Sequence, residues 1–247
     1  MDDPIERAKL FYEQMAFAGD NSGLAIAERE LDGVEAALAL ARGRVMHGRF
    51  LETQREDPHE LALFERAAEL FRALGDGRGE GEALLWVGIF HQFIRHDNAA
   101  AVPALERSRQ LVEPTGDGLM LSYVLRHLGI AEHAGGRLDT ARHLLEESTR
   151  LRREAGMPAG VAANLVGLAY IALAQGRHDE AAAIVAEAGD LAAASGAHSI
   201  ARQVDEVNVA RASATHSLTA SAPASAASRS ASSSSAAASP GPPSAVK

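Results

Sequence analysis

Leu145-Glu146-Glu147-Ser148-Thr149-Arg150-Leu151 restates, 40 residues downstream, the pattern of Leu105-Glu106-Arg107-Ser108-Arg109-Gln110-Leu111, and both match Phe64-Glu65-Arg66-Ala67-Ala68-Glu69-Leu70. This recurrence decides the fold. The closing leucines continue as Leu70, Leu111, Leu151 and Leu191, and each precedes by five residues one of the glycines Gly75, Gly116, Gly156 and Gly196. Six residues before each leucine stands Phe64, Leu105, Leu145 or Val185. A self-similarity near 40 residues is the signature of a solenoid, in which each unit buries its apolar face only against its neighbours.

A second frame runs between these anchors. Gly48, Gly88, Gly129 and Ala169 recur at 40, 41 and 40 residues. The last three sit inside the apolar runs Leu84-Leu85-Trp86-Val87-Gly88-Ile89-Phe90, Val124-Leu125-Arg126-His127-Leu128-Gly129-Ile130 and Leu165-Val166-Gly167-Leu168-Ala169-Tyr170-Ile171. Glycine inside a helix costs about 1 kcal/mol relative to alanine, so a small residue recurring there implies a helix crossing closely. Each period therefore holds two helices, A with the small residue and B with the Leu–Glu pattern. The periodic glycine after B suits the left-handed residue that ends a helix. The spans expected are 4–18, 24–54, 58–74, 80–95, 99–113, 119–134, 138–155, 159–175, 178–195 and 197–211.

Composition agrees with an all-α chain. Apolar residues make up 47% of the 247, aromatics only 4%, and cysteine is absent. The last fact excludes disulfides, thiolate metal sites and a cysteine nucleophile, and suits a reducing cytoplasm. The net charge is −9, with the last acidic residue at Glu206. Such a balance repels phosphate backbones and argues against nucleic acid as a direct partner. The N-terminus Met1-Asp2-Asp3-Pro4-Ile5-Glu6 has no signal-peptide core, and the apolar run Val161–Ala174 is too short for a membrane span. From Ala212 to Lys247, Ser and Ala fill 24 of 36 positions. That segment lacks the side chains to offset ordering, so two regions are expected: a helical repeat domain over 1–211 and a disordered tail over 212–247.

These residues resemble the tetratricopeptide repeat. Val87-Gly88, Leu128-Gly129 and Leu168-Ala169 stand where that family carries its helix-A pair, Ala141 and Ala181 where helix B starts, and Leu145 and Val185 where its large apolar residue follows. Gly135-Gly136-Arg137-Leu138-Asp139-Thr140-Ala141-Arg142 and Gln175-Gly176-Arg177-His178-Asp179-Glu180-Ala181 resemble the turn of a longer, 40-residue variety found in bacterial transcription regulators. The likeness covers about residues 32–200. It implies a right-handed α-α superhelix of antiparallel pairs that binds a protein or peptide in its concave groove, as a scaffold or adaptor. The alternative it implies is a sensor for a small signal molecule or peptide acting on a transcription regulator. The DNA- and nucleotide-binding domains of such regulators have no counterpart here, and the family's Lys/Asn carboxylate clamp is missing.

No motif supports catalysis, and no cofactor or metal is expected. His91/His96 and His127/His133 lack the i, i+4 spacing of a helical metal site. Gly75-Asp76-Gly77-Arg78-Gly79-Glu80-Gly81 follows a helix rather than a strand, so it reads as an interhelical turn rather than a phosphate loop. In the family, the A helices line the groove. Counted from the small residue, positions −6, −3, +1 and +4 share a face. They are Arg42, Val45, Arg49 and Glu52; then Glu82, Leu85, Ile89 and Gln92; then Tyr123, Arg126, Ile130 and His133; then Ala163, Val166, Tyr170 and Leu173. Of these, Arg42, Arg49, Gln92, Tyr123, Arg126, His133 and Tyr170 carry the groups that would hold a peptide, because Arg grips carboxylates in a fork and Tyr stacks or donates.

Overall fold

The computed structural model describes residues 3–220, with side chains through residue 213. It contains ten α-helices: α1 (Pro4–Ala18), α2 (Leu24–Thr53), α3 (Glu60–Leu74), α4 (Gly77–Phe93), α5 (Asn98–Val112), α6 (Gly118–Ala134), α7 (Leu138–Glu154), α8 (Pro158–Ala174), α9 (His178–Ala194) and α10 (His198–Ala220). Among the described residues there is no strand. Consecutive helices pack as pairs, which makes the chain an all-helical repeat solenoid. Every helix but α10 starts and stops within three residues of the expected span. α10 runs past residue 211 to Ala220, into the segment expected to be disordered. Extending an existing helix avoids the nucleation cost, and alanine extends it best. Residues 221–247 of the expected tail lie outside the described residues.

The helix ends follow from local chemistry. Asp76, Asp97 and Asp117 cap α4, α5 and α6, each side chain accepting a backbone N–H from Gly79, Ala100 or Met120. The periodic Gly75, Gly116, Gly156 and Gly196 all have left-handed φ, between +65° and +76°. At Gly75 and Gly156 the next amide then reaches back five residues, Asp76 to Phe71 and Met157 to Arg152, and satisfies carbonyls left over at the helix end. The glycine-rich stretch is shorter as a turn than its composition implies. Gly77, Gly79 and Gly81 lie within α4, and at the last two a larger residue does not fit: a β-carbon on Gly79 would lie 2.5 Å from the Phe71 ring and one on Gly81 2.7 Å from Val112.

Within each pair a large apolar residue of helix B fills a notch in helix A. A β-carbon on Gly88 would lie 2.5 Å from Leu105, and one on Gly129 3.0 Å from Leu145 and 3.3 Å from the Ala141 carbonyl. Phe64 fills the first such notch, but against Gly43, five residues before the Gly48 of the sequence frame; Gly48 has nothing within 4 Å. The cause is the connection between α2 and α3, which spans 54–59, longer than the three-residue links before α7 and α9. Ser108 and Ser148 occupy equivalent places in α5 and α7, and each donates at 2.6 Å to a carbonyl of the preceding helix A, Gly81 or Ser122.

The core runs along the stack as three adjoining clusters, around Leu40, Phe64 and Val87, then Leu105, Val124 and Leu128, then Leu145, Leu165 and Ile171. α4 touches α6 and α6 touches α8, so these three A helices form one continuous row. No helix among the described residues is long and apolar enough to cross a membrane.

Candidate functional site

The A-helix row is braced by polar side chains. Between α2 and α4, Arg44 pairs with Glu82 and lies over the Trp86 ring at 5.4 Å. Between α4 and α6, Gln92 Nε2 donates to the His127 carbonyl at 3.0 Å and to Asn98 Oδ1 at 3.1 Å, and Gln92 Oε1 faces His127 Nδ1 at 2.8 Å. Between α6 and α8, Arg126 Nη1 donates to the Ala163 carbonyl at 2.7 Å and to Asn164 Oδ1 at 2.9 Å.

The third brace departs from the repeat. Asn164 and Arg152 are buried where neighbouring repeats carry Val124 and Val112. Arg152 enters from α7, 2% exposed, and donates to the Gly160 carbonyl at 2.8 Å and to the same Asn164 Oδ1 at 3.1 Å. Its guanidinium lies over the Tyr123 ring at 4.8 Å. Asn164 Nδ2 donates in turn to Ser148. Two arginines thus share one amide oxygen, and neither has a carboxylate partner among the described residues. Burial, reinforced by the charge of Arg152, brings the Arg126 pKa down to about 10. Burial also lowers that of Arg152. Arg126 spends only Nη1 inside the fold, and its Nε and Nη2 make no hydrogen bond there yet still touch solvent. The arrangement is a concentrated positive charge beside the face of a half-buried tyrosine, able to accept a carboxylate or similar anion.

The other sequence candidates separate from it. Tyr123 and Arg126 come together as expected, on one face of α6. Tyr170 is half-buried on α8, two turns past the Ala163 contact, and its pKa is raised by burial and then by Glu206. His133 is half-buried in the last turn of α6. Gln92 is buried and occupied in bracing α4 against α6. Arg42 and Arg49 are exposed on α2, and the five-residue slip takes them off the face shared by the other A helices. Leu40, Arg44 and His47 take those places, as neighbours of Phe64 and Trp86. Sequence inspection missed Arg152, which reads as one of several basic residues ending α7. It also missed the buried pair His47–Glu60, with Nδ1 and Oε1 2.9 Å apart. Burial raises the Glu60 pKa, against the pull of His47, and Glu60 Oε2 has no partner. Among the described residues no group of three or more His, Cys, Asp or Glu could hold a metal ion.

No protein-family model matches this chain, and no curated protein matches its sequence.

Proposed function

We propose that this chain is a non-catalytic binding module of the tetratricopeptide type, cytoplasmic, whose A-helix row holds an acidic segment of a protein or peptide. The observation that carries the proposal is the Arg126–Arg152 pair without a counter-ion, next to Tyr123. Two like charges held close in a partly dry site are unfavourable, and an incoming carboxylate relieves them; the forked guanidinium matches it in shape. The surface as a whole is acidic, which leaves this patch as a local exception and disfavours nucleic acid.

The test is titration of the full chain with acidic, neutral and basic peptides of equal length. Acidic peptides bind, more weakly as salt rises. Arg126→Gln weakens that binding about tenfold or more, the effect of removing an interface anchor. Circular dichroism and melting of the variant separate lost binding from lost fold, because Arg126 also braces α8. Equal binding of acidic and basic peptides, or equal affinity of wild type and a folded Arg126→Gln, ends the proposal. Binding of a free dicarboxylate with no gain from a peptide chain points instead to the small-molecule sensor.

A further inference from the structure

One face of α2 carries a line of exposed residues spaced alternately three and four apart. Three are apolar, Leu31, Leu38 and Val45, at 38%, 47% and 59% exposure. Between and beyond them stand four charges, Glu28, Glu35, Arg42 and Arg49, all exposed. Such spacing sets all seven in one stripe along a helix and repeats every seven residues, the period of a helix that packs lengthwise on another. The stripe does not serve the core of its own chain. The buried Ala36, Leu40, Gly43 and His47 face the core from the other side of α2, while buried Ala39 borders the stripe and buried Ala27 lies a turn before Leu31. α1 packs on a third side, through Phe11 against Gly23 and the Arg7–Glu30 ion pair. Glu35 pairs with Arg66, while Glu28, Arg42 and Arg49 have no ion partner among the described residues.

The charges are sorted, both acids towards the start of α2 and both arginines towards its end. We propose that this stripe is the joint between two copies of the chain, with their α2 helices packed antiparallel. In that orientation Glu28 of one copy faces Arg49 of the other, Glu35 faces Arg42, and the three apolar residues interleave over about 32 Å of helix. A parallel pair would set glutamate against glutamate and arginine against arginine. Sliding the antiparallel pair by one heptad would oppose Arg42 to Arg42 or Glu35 to Glu35. Orientation and register both follow from the order of four charges, with the apolar residues supplying the burial. The joint is two-fold symmetric, each copy using the same surface. It lies away from the face that carries Arg126, so the two proposals stand or fall separately.

Sedimentation equilibrium of the full chain tests it. The wild type sediments at twice the chain mass of 25.9 kDa. Leu38→Glu alters an exposed side chain, leaves circular dichroism unchanged, and weakens the dimer about tenfold or more. Glu28→Arg and Arg49→Glu, each alone, oppose like charges and weaken it; the double variant E28R/R49E restores pairing and the dimer returns. A wild type that stays monomeric overturns the proposal. So does a dimer indifferent to Leu38→Glu, or one that E28R/R49E fails to restore after the single variants have weakened it, because a different surface or partner then covers α2.

Discussion

Arg152 occupies a place in α7 that Val112 fills in α5 and Ala192 in α9, and its burial changes what its neighbours must be. A buried guanidinium has to be given acceptors, and Asn164, Gly160 and Ser122 supply them. His127 feels the same charges. It is buried, and desolvation, with Arg126 and Arg152 next, holds its pKa well below the ordinary histidine value. The folded state therefore keeps His127 neutral where the unfolded chain binds a proton. Stability carried by this group is present above the unfolded pKa of about 6.5 and is lost as pH falls below it towards the folded value. His127→Asn can still donate to Gln92 and cannot titrate. Between neutral pH and about pH 5 the wild type should lose more melting temperature than the variant does. Equal losses would mean that the His127 ring takes up its proton without disturbing the fold.

The paired helix is the next unit up, and its key is the notch in helix A. At Gly129 a larger side chain would meet Leu145 and the Ala141 carbonyl, the latter being backbone that cannot swing aside. Gly129→Leu should destabilise the protein by about 1–3 kcal/mol or more, read as a lower urea midpoint. Gly48→Leu, at the matching place in the sequence frame, should leave the midpoint nearly unchanged, since that site is open. The contrast shows what a sequence frame can carry. Helix limits were legible because capping aspartates, left-handed glycines and the Leu–Glu pattern are local signals. The phase of α2 was not, because it depends on the length of the 54–59 connection, and a glycine at the right spacing stood there by coincidence. The clustering of Tyr123 with Arg126 was legible from the turn of α6. Arg152 beneath them was not, since burial of a charge depends on acceptors from two other helices.

Across the whole molecule, the core is a chain of junctions, each cluster shared by neighbouring helices and none reaching from end to end. Solenoids of this kind draw their stability from nearest-neighbour contacts. Trp86 sits at one of those junctions. Its ring stacks on Phe64 at 5.5 Å, meets His47 edge-on at 5.4 Å and lies under Arg44. It is the only tryptophan in the chain. Indole emission therefore views the α2–α3–α4 end and the edge of the adjoining cluster around Leu105, but not the cluster around Leu145, whereas far-ultraviolet dichroism averages every helix. In urea the two signals should coincide if the junctions melt together, and the Gly129→Leu defect, placed in another cluster, should pull them apart, dichroism falling before emission. Superimposed curves in that variant would show that the damage at α6–α7 is felt in full at α2–α4. The lone indole thus makes the chain its own gauge of how far cooperativity travels along the stack.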